Sequence, residues 1–201
     1  MNTWISSVCF VMACFLAGCS GDLLTPRGAS DGVQSASLSD GAVLLAAPNG
    51  FCVDPSSIER GFALMARCDT LGATGSGRAP LALITATTLA ISSEALPEQE
   101  VLIGSNERVV NRQTRDALAL VQVQGAPPDP SFDDTFWRGR GQVGDQILGL
   151  AIYTPKGAAS LGRQGPAILA QIMRRTLAQS PPQPGKSATQ AASGNLAGLF
   201  E

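Results

Sequence analysis

The chain of 201 residues has no histidine, and its only lysines are Lys156 and Lys186. Without an imidazole there is no Ser-His-Asp triad, no histidine-ligated metal and no ordinary general base near neutral pH. A Ser-x-x-Lys dyad is excluded too, because Tyr153 and Gln183 stand three residues before the lysines. Charged residues make up 15% of the chain and aromatics 5%, with a net charge of −2. Together with a pI of 5.2, this leaves no basic footprint for nucleic acid. The apolar run near the start, residues 8–16, is shorter than the ~20 residues that a spanning helix needs. What the chain does have is 22 glycines and 13 prolines, a composition that points to a β-rich domain with flexible ends rather than a helical bundle. No internal repeat is present.

The apolar run closes on Leu16-Ala17-Gly18-Cys19. Its length suits the apolar region of a signal peptide, and Ala17 and Gly18 put small side chains just before a cut. The four residues resemble the lipobox of bacterial lipoproteins. That resemblance implies cleavage of residues 1–18 and acylation of Cys19, whose several chains hold a protein durably at ~0.8 kcal/mol per buried CH2. Ser20 after the cysteine implies, by similarity to enterobacterial sorting, the outer membrane rather than the inner one. A protein so anchored faces the periplasm.

Cysteine usage fits the same compartment. Cys9 and Cys14 leave with the leader and Cys19 takes lipid, so Cys52 and Cys68 remain as an even pair in an oxidising space. A bond between them is expected to contribute about 3 kcal/mol in the chain-entropy view; the alternative is two separately buried thiols.

Along the chain, residues 19–40 are rich in Ser, Gly, Asp and Ala and read as a flexible tether. A domain is expected over 41–178. It opens with a hairpin, 42–47 and 51–53, about the turn signal Pro48-Asn49-Gly50. Residues 61–67 alternate with both faces mostly apolar, as in a covered strand; pairing with 51–54 would set Cys52 and Cys68 nearly opposite. A strand is expected over 81–89, rich in β-branched residues, and a helix over 93–104 starting at Ser93 or Pro97. Residues 105–116 are polar and charged, and 117–123 form the next strand. Two runs, 136–143 and 146–154, flank Gly144-Asp145 as a hairpin, with Leu148, Leu150 and Ile152 on one face of a central strand. Gly165-Pro166 opens a helix through Ala178, with the stripe Ile168, Leu169, Ile172, Met173 and Leu177. Pro181-Pro182 ends it, and 179–201 read as a disordered tail.

The fold class is therefore α+β: an antiparallel sheet of about six to seven strands with a helix before the central strands and a C-terminal amphipathic helix packed on it. This order resembles the Mog1/PsbP-like fold, most closely in the strand pair about Gly144-Asp145, the strand 148–153, and the helix ending Ile172-Met173-Arg174-Arg175-Thr176-Leu177. The resemblance implies an accessory or binding role and carries over no functional residue.

Few residues invite chemistry. The stretch 72–79 looks like a phosphate loop, but Arg78 and Ala79 stand where lysine and a hydroxyl are needed, and Pro80 follows instead of a helix. Asp129, Asp133 and Asp134 lack the spacing of a calcium loop. Trp137, Arg138 and Arg140 are the most suggestive cluster. The arginines, two apart, share one face of a strand and could hold a carboxylate or phosphate, or could merely guard a solvated edge. Leu196, Leu199, Phe200 and Glu201 could dock into a partner groove.

The expectation is a membrane-anchored, periplasm-facing lipoprotein of the cell envelope, a non-catalytic accessory or binding protein with no cofactor and no metal, whose partners are the membrane and an envelope protein. Two alternatives compete. One is an envelope enzyme using carboxylates such as Asp133, Asp134 or Glu107, and the other is a structural component acting through its C-terminal tail.

Overall fold

Apolar residues at every second position between 148 and 152 need cover on the same side, and the sheet grows outward from them. A computed structural model describes residues 32–74, 78–91, 104, 106–159 and 161–182. Its strands are β1 (Ser35–Leu38), β2 (Val43–Ala46), β3 (Phe51–Val53), β4 (Phe62–Arg67), β5 (Leu83–Ala90), β6 (Arg108–Arg115), β7 (Leu118–Gln124), β8 (Thr135–Val143) and β9 (Gln146–Tyr153). The one α-helix among the described residues is α1 (Gln164–Gln179). β1 and β2 form a two-stranded ribbon, and the other seven strands make one sheet in the order β3-β4-β5-β9-β8-β7-β6. Every pairing is antiparallel. This is an α+β protein dominated by its sheet, with β9 at the centre.

The main core lies between one face of the sheet, the helix and the ribbon. Leu118, Leu120, Trp137, Leu148, Leu150 and Ile152 point into it from the sheet, Leu169, Ile172 and Met173 from α1, and Leu38, Val43 and Leu45 from the ribbon. Each fully buried aliphatic side chain contributes about 2 kcal/mol before entropy, so the helix docks through its stripe. One member of the expected stripe does not take part. Leu177 is 42% exposed, and the fully buried Thr176 replaces it, its hydroxyl accepting the backbone N–H of Ala46 at 3.1 Å. That N–H lies on the ribbon's outer edge and needs an acceptor in the core, which a leucine could not supply.

Three further expectations change. The tether does not reach residue 40, because Val33 already bridges Val53 and β1 buries Ala36 and Leu38. At the other end, Ser180 Oγ accepts the N–H of Leu44 at 3.0 Å, so the fold runs from about residue 33 to 180 instead of 41–178. The expected hairpin of 42–47 with 51–53 is absent: β2 pairs with β1 and β3 with β4. The chain does turn at Pro48, with Phe51 N–H bonded to Pro48 O at 3.0 Å, but the strands on either side pass into different sheets. The polar stretch 105–116 holds a strand, β6, which pairs with β7 across a bulge between Val109 and Asn111. It is an outer strand with mostly exposed side chains, and an edge position favours charge over apolar residues.

Two hairpin turns show what the local sequence must supply. In the β8–β9 turn Gly144 takes φ +62°, the first central position of a type II′ turn, where glycine carries no steric cost. In the β6–β7 turn Asp116 and Ala117 take φ +50° and +60°; type I′ demands that conformation, and alanine adopts it at a cost. The leader, Cys19, the tail after residue 182, the middle of the glycine-rich stretch 72–79, and the expected helix over 93–104 except Gly104 lie outside the described residues.

Candidate functional site

In a strand, successive side chains leave on opposite faces, and β8 therefore divides the expected cluster. Trp137 enters the main core and is 4% exposed, packed against Gly165, where an added Cβ would lie 2.6 Å from the indole Cδ1. Its indole nitrogen is the one buried side-chain polar atom without a hydrogen-bond partner among the described residues. Arg138 and Arg140 leave on the reverse face. Trp137 therefore belongs to the fold, while the two arginines share a surface. The solvated-edge reading fails as well, because β8 is an inner strand between β7 and β9.

On the reverse face, Val121, Val123, Phe136, Ala151 and Tyr153 form a small second cluster with Phe132 packed against it. The rings follow one another: Phe132 to Tyr153 at 6.0 Å between centroids, then Tyr153 to Phe136 at 4.8 Å. The guanidinium of Arg138 lies 5.0 Å from the centre of the Phe136 ring, where the negative face of the ring attracts a cation. Across the sheet Arg138 pairs with Val121 and Arg112 also pairs with Val121; the two arginines thus occupy one cross-strand row, with Arg140 one step along.

The counter-charge comes from Glu107, just before β6. Its carboxylate receives two hydrogen bonds from Arg138, 2.6 Å from Nη1 and 2.7 Å from Nη2, the fork-to-fork geometry that suits guanidinium and carboxylate. The Glu107 side chain is only 9% exposed and that of Arg138 27%. The carboxylate also accepts the N–H of Gly104 at 2.6 Å. Gly125 makes the space, since a Cβ there would lie 2.6 Å from Glu107 Cγ. Glu107 is therefore a structural partner of Arg138, and the sequence reading did not link them. The alternation about 138 and 140 reveals the shared face, but nothing local reveals a partner 31 residues away.

The remaining acids have separate tasks. Asp133 Oδ1 accepts the N–H of Thr135 at 3.0 Å, and Asp129 Oδ1 that of Ser131 at 2.8 Å, turns of the kind aspartate favours. Asp134 accepts from Gln124 Nε2 at 3.1 Å and from Thr135 Oγ1 at 3.0 Å. These bonds, that from Gln124 foremost, hold its carboxyl below the ordinary carboxylate range. Ser131 does the same for Asp129. Among the described residues no group of three or more His, Cys, Asp or Glu side chains could hold a metal ion.

Cys52 and Cys68 are bonded, with Cα atoms 4.8 Å apart. Cys52 lies on β3 opposite Ala66, and Cys68 follows β4 directly, its N–H bonded to Gly50 O at 3.2 Å. The pairing of β3 with β4 thus brings the two sulfurs together, as the alternation of 61–67 anticipates. Both residues are 1% exposed.

No family model and no curated protein matches this chain. Among solved structures it is similar to a point variant of protein Mog1 (TM-score 0.40, 13% identity, covering 72% of this chain and 92% of that one). It is also similar to cyanobacterial PsbP from Synechocystis (TM-score 0.40, 8% identity, covering 79% of this chain and 96% of that one). Both are weak likenesses of fold.

Proposed function

We propose that this protein is a lipid-anchored envelope lipoprotein facing the periplasm, held by Cys19, and that it serves as a non-catalytic accessory or binding protein. The observation that carries the reading is the Cys52–Cys68 bond: disulfides are common in oxidising spaces outside the cytosol and rare within it. The lipobox-like Leu16-Ala17-Gly18-Cys19 supplies the route there. Among the described residues Val33 is the first bridged to the sheet; it lies 14 residues after Cys19, a length that even a fully extended chain spans only to ~50 Å. An anchored domain would therefore work close to its own membrane.

The binding surface in this reading is the reverse sheet face at Arg112, Arg138 and Arg140. Guanidinium groups recognise carboxylates and phosphates by paired hydrogen bonds; Arg138 already gives both of its Nη groups to Glu107, so a partner's acid would have to meet the face beside that pair or displace Glu107. The matching partner is an acidic segment of an envelope protein. Mass spectrometry of the protein from its own membrane tests the anchor: the expected mature chain begins at acylated Cys19, and Cys19→Ala leaves the membrane fraction. Finding residues 1–18 still attached, without fatty chains, overturns the reading. Replacing Arg138 and Arg140 by alanine is expected to abolish partner recovery from the native membrane, and unchanged recovery removes the surface from consideration.

A further inference from the structure

The disulfide is kept from solvent by the first described residues of the chain. The backbone of Gly32 lies directly on it: an added Cβ would sit 2.6 Å from Cys52 Cβ and 3.2 Å from Leu71 Cβ, so no larger residue fits. Val33 exchanges two backbone hydrogen bonds with Val53, at 3.0 and 2.7 Å, adding a single bridge to the outer edge of β3. Gln34 then turns its side-chain amide onto the sulfurs, with Nε2 donating to Cys52 Sγ at 3.0 Å and lying 3.6 Å from Cys68 Sγ. It also reaches Phe51 O at 3.4 Å.

This cover is narrow. Val33 is 38% exposed and Gln34 is exposed, whereas the sulfurs beneath belong to residues that are 1% exposed. Short, exposed segments open locally at far lower free energy than the core around them. Lifting residues 32–34 breaks the Val33 bridge, the Gln34 side-chain contacts and the bond that the Ala47 N–H gives to Gln34 O at 2.9 Å, while leaving the register of β3 on β4 intact.

We propose that Cys52–Cys68 is a thiol-exchange site under a detachable cover, residues 32–34, and that its co-reactant is a dithiol reductant. A thiolate of the dithiol attacks one Sγ in line with the S–S bond; that bond breaks, and the other cysteine leaves as a thiolate and takes up a proton. The reagent's second thiol then attacks the mixed disulfide, releasing the first cysteine and closing the reagent's own disulfide. Two electrons pass from the dithiol to the protein. The inference does not depend on the anchor or on the arginine face.

The test is the rate of thiol release from the full chain by dithiothreitol, measured at increasing urea below the unfolding transition. The expected rate is nearly flat in urea, because the opening that limits it exposes little surface. Gln34→Ala is expected to raise it about fivefold, the worth of one net hydrogen bond, and Gly32→Val about tenfold or more through overpacking. Gln34→Ala should lower the urea midpoint of the oxidised protein by no more than that one hydrogen bond, and its own flat urea dependence of thiol release decides the matter if Gly32→Val does not fold. A rate that climbs with urea along the full unfolding slope overturns the proposal, as does an equal rate in wild type and Gln34→Ala.

Discussion

The pair of Glu107 and Arg138 offers the sharpest energetic test of the reverse face. Two charge-assisted hydrogen bonds of 2.6 and 2.7 Å join side chains that are 9% and 27% exposed. At an effective dielectric of about 20, unit charges ~4 Å apart attract by about 4 kcal/mol, and removing both groups from water offsets roughly half of that. A net coupling of about 2 kcal/mol follows, within the range for contacting residues. Glu107→Ala is expected to cost about 3 kcal/mol, more than the coupling, because it also leaves the half-buried guanidinium without its carboxylate. Arg138→Met should cost less, since the methionine still packs on Phe136, and the double variant should fall well short of the sum. Gly125→Ala provides an independent route to the same contact. Its Cβ would press within 2.6 Å of Glu107 Cγ and push the carboxylate away, so its cost should largely vanish in a Glu107→Ala background. Urea unfolding at constant slope gives each value. A coupling below ~0.5 kcal/mol, the scatter of independent sites, would refute the reasoning and return Glu107 to the class of surface acids.

Further outcomes follow from single contacts. Gly165→Ala, though it replaces glycine within a helix, should destabilise by about 1–3 kcal/mol, because the added methyl meets the indole of Trp137; a gain of stability by thermal melting would contradict that packing. Thr176→Val should cost about 1–3 kcal/mol by leaving the Ala46 N–H without an acceptor, while Leu177→Ala should stay within ~0.5 kcal/mol, a contrast that the same melts resolve. Ala117→Gly should stabilise by up to ~1 kcal/mol, since only the glycine meets φ +60° without strain. Asp134 has its folded pKa held down by Gln124 and Thr135, so its contribution is present above the ordinary carboxylate pKa and is lost as pH falls through the folded value. Asp134→Asn should therefore flatten the stability profile below about pH 4, and an unchanged acid limb would contradict the assignment.

What could be read from the amino acids alone follows from what burial writes into them. β9 and α1 are buried along long apolar stripes, and their periods of two and of three to four stand out at once. The Cys52–Cys68 bond is also legible, because Cys52 sits within one apolar strand and Cys68 directly follows the next, and the two strands pair antiparallel. β6 is not, since an outer strand built from Arg108, Asn111, Gln113 and Arg115 carries no apolar alternation, and its Asp116-Ala117 turn lacks the glycine that marks such turns. The ribbon misleads for a different reason. Pro48-Asn49-Gly50 does mark a turn, but a turn signal does not say that the strands on either side pair, and β1, with only Ala36 and Leu38 as apolar residues, hid the true partner. For the arginines, alternation places Arg138 and Arg140 together and sends Trp137 the other way. The carboxylate that completes the arrangement lies beyond any local pattern.

The ribbon near the start of the fold is completed by the helix at its close: Leu44 and Ala46 give their outward N–H groups to Ser180 and Thr176, partners 136 and 130 residues further on. Such distant closure is slow, because the entropy of closing a long loop is lost before the contact that compensates it forms. A chain still emerging from the ribosome, or threading through a narrow channel, cannot finish its earliest strands until its last turn of helix arrives. The ribbon thus gains these two outer hydrogen bonds only once residues 176–180 have been made.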